Sequence, residues 1–165
     1  MDSRERTPHD GMPDQDHIST RTLQDRELVL KFVCPKPHPI HKVPSYYFRM
    51  VQADSREELG SINLRVGFSS HIELYAGHAG YTVHPAHRGH KDAARSLRLL
   101  ISLARDLQLD PLWITCDPDN QGSRRSCELA GAKFIEIIDV PESCIIHRNG
   151  HKQKCRYQLD LPAAD

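Results

Sequence analysis

Between Gly77 and Cys116 the hydrophobic period changes twice. Over residues 77–85 Ala79, Tyr81 and Val83 alternate with His78, Gly80, Thr82 and His84, the period of a strand. Over residues 90–108 the apolar Ala93, Ala94, Leu97, Leu100, Ile101, Ala104 and Leu107 recur at helical spacing, with arginines between them. Leu112–Cys116 is then a short, nearly continuous apolar run, the kind of strand that has a neighbour on each side. Strand, long helix and strand in this order make a parallel crossover, right-handed by the usual rule.

The flanking segments extend that unit into one α/β domain. Residues 27–34, 46–53 and 59–66 read as strands, the last with Ile62, Leu64 and Val66 on one face. A second helix is expected over residues 123–130, stopped by Gly131, with closing strands at 133–140 and 154–161. The loop between those strands is polar around Asn149 and Gly150. The expectation is a mixed α/β fold, a twisted and mostly antiparallel sheet with flanking helices. Residues 1–25 carry few large apolar side chains and read as a flexible arm; 26–165 form the single domain.

Charge narrows the function classes. Lys plus Arg and Asp plus Glu are both 22, a net charge of zero, which argues against a general nucleic-acid binder. No apolar run reaches membrane-spanning length and no secretory core opens the chain, so the expected location is the cytoplasm. The five cysteines include no C-x-x-C pair and read as reduced, mostly buried thiols. Cys34, His38 and His41 invite a metal reading, but the prolines between them and the lack of a fourth ligand argue for no metal.

The turn at residues 85–94 joins a strand to the N-terminus of the longest helix. Such an end presents unpaired amides and partial positive charge, a setting for phosphate. Gly89 permits close backbone approach, Ala93 and Ala94 keep the first turn slim, and Arg88 and Lys91 add charge.

Four segments in register, "ELGSINLRV" (58–66), "GHAGYTVHPAHRGHKDAA" (77–94), "LWITC" (112–116) and "DNQGSRRSCELAGA" (119–132), resemble the GNAT superfamily of N-acetyltransferases. The family's cofactor loop reads Q/R-x-x-G-x-G/A; Arg88 and Ala93 match, and Lys91 stands where the central glycine is usual. The resemblance implies a central parallel strand pair splayed around a cleft, with acetyl-CoA as cosubstrate and an amine acceptor. It places Tyr81, Thr82 and Val83 along the pantetheine and Arg88, Gly89, His90, Lys91, Asp92, Ala93 and Ala94 around the pyrophosphate. Asn120 and Ser123 would line the far side, and Asp92 would point outward.

For catalysis the resemblance nominates Glu73 or His78 as base, with His84 nearer the cofactor end. Cys127 occupies the position where the family places a tyrosine acid. Helices usual between the family's first two strands have no room in residues 35–44. The acceptor side is therefore expected to be open, or closed by the arm, the His71 loop or a second subunit of a homodimer. A peptide or protein amine fits an open cleft, with a polyamine or sugar amine as small alternatives. The contrasting reading is a catalytically silent acyl-CoA-binding module, suggested by Lys91, Asp92 and the missing tyrosine.

Overall fold

The computed structural model describes Ile18, residues 22–37 and residues 43–161. These residues form two antiparallel sheets. The first runs in sequence order through β1 (Gln24–Asp25), β2 (Leu28–Pro37), β3 (Pro44–Gln52), β4 (Glu58–Arg65) and β5 (Ala79–Val83). The second contains β6 (Leu112–Cys116), β7 (Lys133–Asp139) and β8 (Gln153–Leu159), in the order β6-β8-β7. A π-helical turn, His71–Ala76, precedes β5. The helices are α1 (Asp92–Leu99), α2 (Ile101–Asp106), α3 (Gln121–Leu129) and the short α4 (Ile145–Arg148).

Alternation sets the register of the first sheet. Tyr46 faces Leu64 and Phe48 faces Ile62 across β3 and β4, and all four are buried. Against this face lie the apolar stripes of α1 and α2: Leu97, Leu100, Leu103 and Ala104 are fully buried in one core with Leu28, Met50 and Ile114. Each buried leucine of this stripe contributes roughly 2 kcal/mol of apolar transfer free energy, which fixes the helices over the sheet.

Several expected boundaries move. The expected long helix begins at Asp92, because Lys91 adopts a left-handed backbone (φ 62) that cannot continue a right-handed helix. It is divided at Leu100, whose amide is shared between the carbonyls of Ser96 and Leu97. The expected arm ends early: Gln24 and Asp25 pair with Val29 and Leu28. Arg95 fastens this strand to α1, donating from Nε to Asp25 Oδ2 at 2.7 Å and from Nη1 to Glu27 Oε1 at 2.8 Å. Residues 1–17 and 19–21 lie outside the described residues, as do His38 and His41. The polar loop around Asn149 instead contains α4.

One correction matters for the cleft. β6 has a ladder partner on one side only, β8; its other side meets β5 without a strand ladder. No helix among the described residues is long and apolar enough to cross a membrane, and no group of three or more His, Cys, Asp or Glu among them is placed to hold a metal.

Candidate active site

The two sheets touch where β5 and β6 begin and part further along. At the junction His78 N donates to Trp113 O at 2.6 Å, and Trp113 N donates to His78 Nδ1 at 2.9 Å. Since Nδ1 accepts, the ring proton sits on Nε2, which donates to Gly67 O at 2.9 Å. Burial, and to a lesser degree the Arg65 charge, lowers this imidazole to about 4 against the upward pull of the Gly67 bond. His78 is thus a neutral pin at the base of the splay. With no exposed surface and both nitrogens engaged by backbone, it presents no proton-accepting atom to a substrate.

Above the pin, the free edge of β5 faces a cleft of about 690 Å³. Its lining includes Tyr81, Thr82 and Val83 from β5, Arg88, Gly89 and Lys91 from the loop, Asp92 and Ala93 from α1, and Asn120 and Ser123 at the start of α3. Gly89 (φ 92) and Lys91 (φ 62) both hold left-handed backbone, so this position keeps a glycine-like conformation although its residue is lysine. The first amides of α1 have no intrahelical acceptor. Arg88 donates from Nε to Val83 O at 3.2 Å, drawing the loop against the strand. Of the expected loop residues, two stand apart from the cleft. His90 turns back to His87 O, and Ala94 is buried in the core.

Asp92 does not point outward as expected. It is 6% exposed, its carboxyl 3.4 Å from Arg95 Nη1, and burial raises its pKa against the pull of Arg95. The cause is β1, which covers this side of the helix and brings Asp25 and Glu27 onto the same arginine.

The cleft runs into a second cavity of about 300 Å³ through the shared residues Tyr81, Asn120 and Ser123. Asn120 caps α3, accepting from Ser123 N at 3.1 Å. The Tyr81 hydroxyl lies 2.7 Å from Ser123 Oγ and 3.5 Å from Cys127 Sγ. Burial and the neighbouring Cys127 hold this phenol protonated, well above the ordinary tyrosine range. Cys127 is fully buried outside both linings; its hydrogen bond with Cys116 and its burial push its thiol up. It touches the cleft-lining Tyr81.

In the lining of this cavity stands a pair that the sequence reading did not nominate. His151 Nδ1 lies 2.7 Å from Asp117 Oδ2, and Lys154 Nζ lies 3.0 Å from Asp117 Oδ1. Burial would raise Asp117, but the hydrogen bonds from Lys154 and His151 outweigh it and hold the carboxyl low. His151 Nε2 has no hydrogen-bond partner among the described residues. Asp117 follows β6, and His151 precedes β8; since Cys116 and Cys155 are register partners, the antiparallel pairing brings the two together. Glu73, by contrast, sits half-buried in the π-helical turn and lines neither cavity, its carbonyl accepting from Arg156. His84 pairs with Glu58 at 3.4 Å on the exposed rim.

A family model described as an acetyltransferase (GNAT) domain matches residues 12–133. Among solved structures, a GNAT-family acetyltransferase from Bacillus anthracis aligns with a TM-score of 0.56 at 19% identity over 70% of this chain; the match spans 66% of that chain. A ribosomal-protein-S5-alanine acetyltransferase from Vibrio fischeri gives 0.63 at 12% identity, over 88% of this chain and 99% of that one. A ribosomal L7/L12 alpha-N-protein acetyltransferase, in complex with coenzyme A through a cysteine disulfide, gives 0.62 at 12% identity, over 87% and 100%. No curated protein matches the sequence significantly. A fold match and a family model over most of the length agree: the chain belongs to the GNAT acetyltransferase family.

Proposed function

We propose that this protein is an N-acetyltransferase that moves the acetyl group of acetyl-CoA to a primary amine by direct transfer in a ternary complex. The observation that supports it most is the continuous path from a phosphate-suited helix N-terminus, along the open edge of β5, into a polar cavity holding an Asp–His pair.

The residues present fit the cosubstrate. An edge strand offers unpaired backbone groups to an extended pantetheine, and the α1 amides with Arg88 and Lys91 suit its pyrophosphate. When bound, acetyl-CoA supplies an acyl carbon activated as a thioester. His151 Nε2 takes the proton that the amine loses as its nitrogen–carbon bond forms, and Asp117 fixes the ring and stabilises the resulting imidazolium. The Tyr81 hydroxyl donates toward the departing sulfur, relayed by Ser123. In this assignment the tyrosine acid comes from β5, its hydroxyl 3.5 Å from Cys127 Sγ.

One observation favours the silent acyl-CoA-binding module: the acidic Asp92 is among the lining residues, on the first turn of α1. Calorimetric titration with acetyl-CoA, followed by thiol-release assays on an amine panel, separates the readings. Micromolar binding lost in an Arg88→Ala, Lys91→Glu variant, together with turnover, supports the enzyme. Binding without turnover on any amine supports the module, and no binding removes both.

A further inference from the structure

The second cavity holds two cations and one carboxylate, and the carboxylate is already used. Asp117 is engaged by both His151 and Lys154, as above. Arg65, on β4, also lines the cavity but has no carboxylate within ion-pair distance among the described residues. Its side chain is deeply buried, the residue being 7% exposed.

The guanidinium is held by one nitrogen. Nη1 donates to Ala76 O at 2.9 Å and to Gly77 O at 3.0 Å, while Nε is buried with no partner. Nη2 also has no partner among the described residues and lies over Gly80, another lining residue; a β-carbon there would stand 2.5 Å from it. Glycine at this place in β5 is what lets the guanidinium reach the cavity. Burial lowers Arg65 to about 10, so it remains charged at neutral pH. A cation taken out of water without a counter-ion is unfavourable, and a bound anion would relieve it.

Building on the acetyl-transfer reading, we propose that the acceptor is a small amine that also carries a carboxylate, an amino-acid-like molecule whose carboxylate is bound by Arg65 and whose amine faces His151. A polyamine would set further positive charge beside Arg65 and Lys154. A volume of about 300 Å³ lies at the small end of ligand pockets. Guanidinium matches carboxylate in shape as well as charge.

The test uses the full chain saturated with coenzyme A. It is titrated calorimetrically with free α-amino acids, β-alanine and γ-aminobutyrate, with the carboxamide of each binder, with spermidine, and with a short peptide amidated at its C-terminus. At least one aminocarboxylate is expected to bind at millimolar concentration or below, and its carboxamide roughly tenfold to hundredfold more weakly. Arg65→Gln is expected to abolish that preference and Arg65→Lys to restore part of it. Equal binding of acid and amide, binding of spermidine or the amidated peptide alone, or no binding at all overturns the proposal. Because Arg65 also holds the Ala76 and Gly77 carbonyls, its variants could misfold; the acid–amide comparison on the unaltered chain decides without them. Repeating that comparison without coenzyme A separates the two readings. Failure of acetyl-CoA to bind sinks the transferase, whereas turnover of amines lacking a carboxylate leaves the transferase standing and sinks only this acceptor class.

Discussion

Two histidines show how placement divides one side-chain chemistry into different roles. His78 is buried with both nitrogens bonded to backbone, whereas His151 lines the cavity and pairs through Nδ1 with Asp117. If His151 is the base, His151→Asn lowers kcat by roughly 10²–10⁴-fold while leaving acetyl-CoA affinity unchanged, since it lies outside that cleft. Asp117→Asn should move kcat the same way, because the ring would lose its orienting anion. Steady-state kinetics beside calorimetry reads both; an unchanged kcat in His151→Asn would remove it from the mechanism.

For His78 the consequence is stability. Its folded value, about 4, lies below its ordinary 6.5, so between those limits the unfolded chain binds more protons than the folded one. The stabilisation is fully present above about pH 6.5 and is lost as pH falls toward 4, on the order of 3 kcal/mol across the window. Urea midpoints measured from pH 7 to pH 4 should fall accordingly, and His78→Gln should flatten that slope while lowering stability throughout. Lys91 makes the complementary point in the backbone: its left-handed φ is unfavourable by roughly 1 kcal/mol for a residue with a β-carbon. Lys91→Gly should therefore preserve or raise stability while removing one charge from the loop.

At the scale of elements, the position of β5 depends on its neighbour β4. Gly60 faces Val83, and a β-carbon there would collide with the Thr82 carbonyl oxygen. Gly60→Ala must push β5 away from β4 and narrow the cleft that β5 borders. A loss of about 1–3 kcal/mol together with weaker acetyl-CoA binding is expected, read by denaturation and calorimetry. Unchanged affinity would mean that β5 does not position the pantetheine. Boundaries were the least legible feature at this scale. The period of the helix over residues 90–108 placed Leu97, Leu100 and Ala104 correctly inside, but it missed the buried Leu103 and included the half-buried Ile101. Its start depended on the Lys91 backbone and its break on the shared Leu100 amide, and neither follows from hydrophobic spacing. β1 was invisible because two residues carry no periodic signal; its order comes from Arg95, 70 residues away.

Over the whole molecule, the cleft is a gap between two sheets joined at one base, so a ligand that spans it should resist its opening. Acetyl-CoA at about 100 times its Kd should add about 2.7 kcal/mol of stability, or roughly 5–10 °C in melting temperature for a chain of this size. Differential scanning fluorimetry would show this, and the Arg88→Ala, Lys91→Glu variant should lose it. By itself the sequence determined the α/β class, the strand–helix–strand order from β5 to β6 and the family resemblance. Those properties live in local period and in contiguous motifs, which a linear reading can detect. Tertiary structure alone decided that His78 pins the splay, that Asp92 turns inward under β1, and that the Tyr81 hydroxyl meets Ser123 and Cys127. It alone paired His151 with Asp117 and left Arg65 without an anion among the described residues. Each of those outcomes depends on which distant backbone or charge comes to lie beside a side chain, and hydrophobic spacing along the chain carries no record of that.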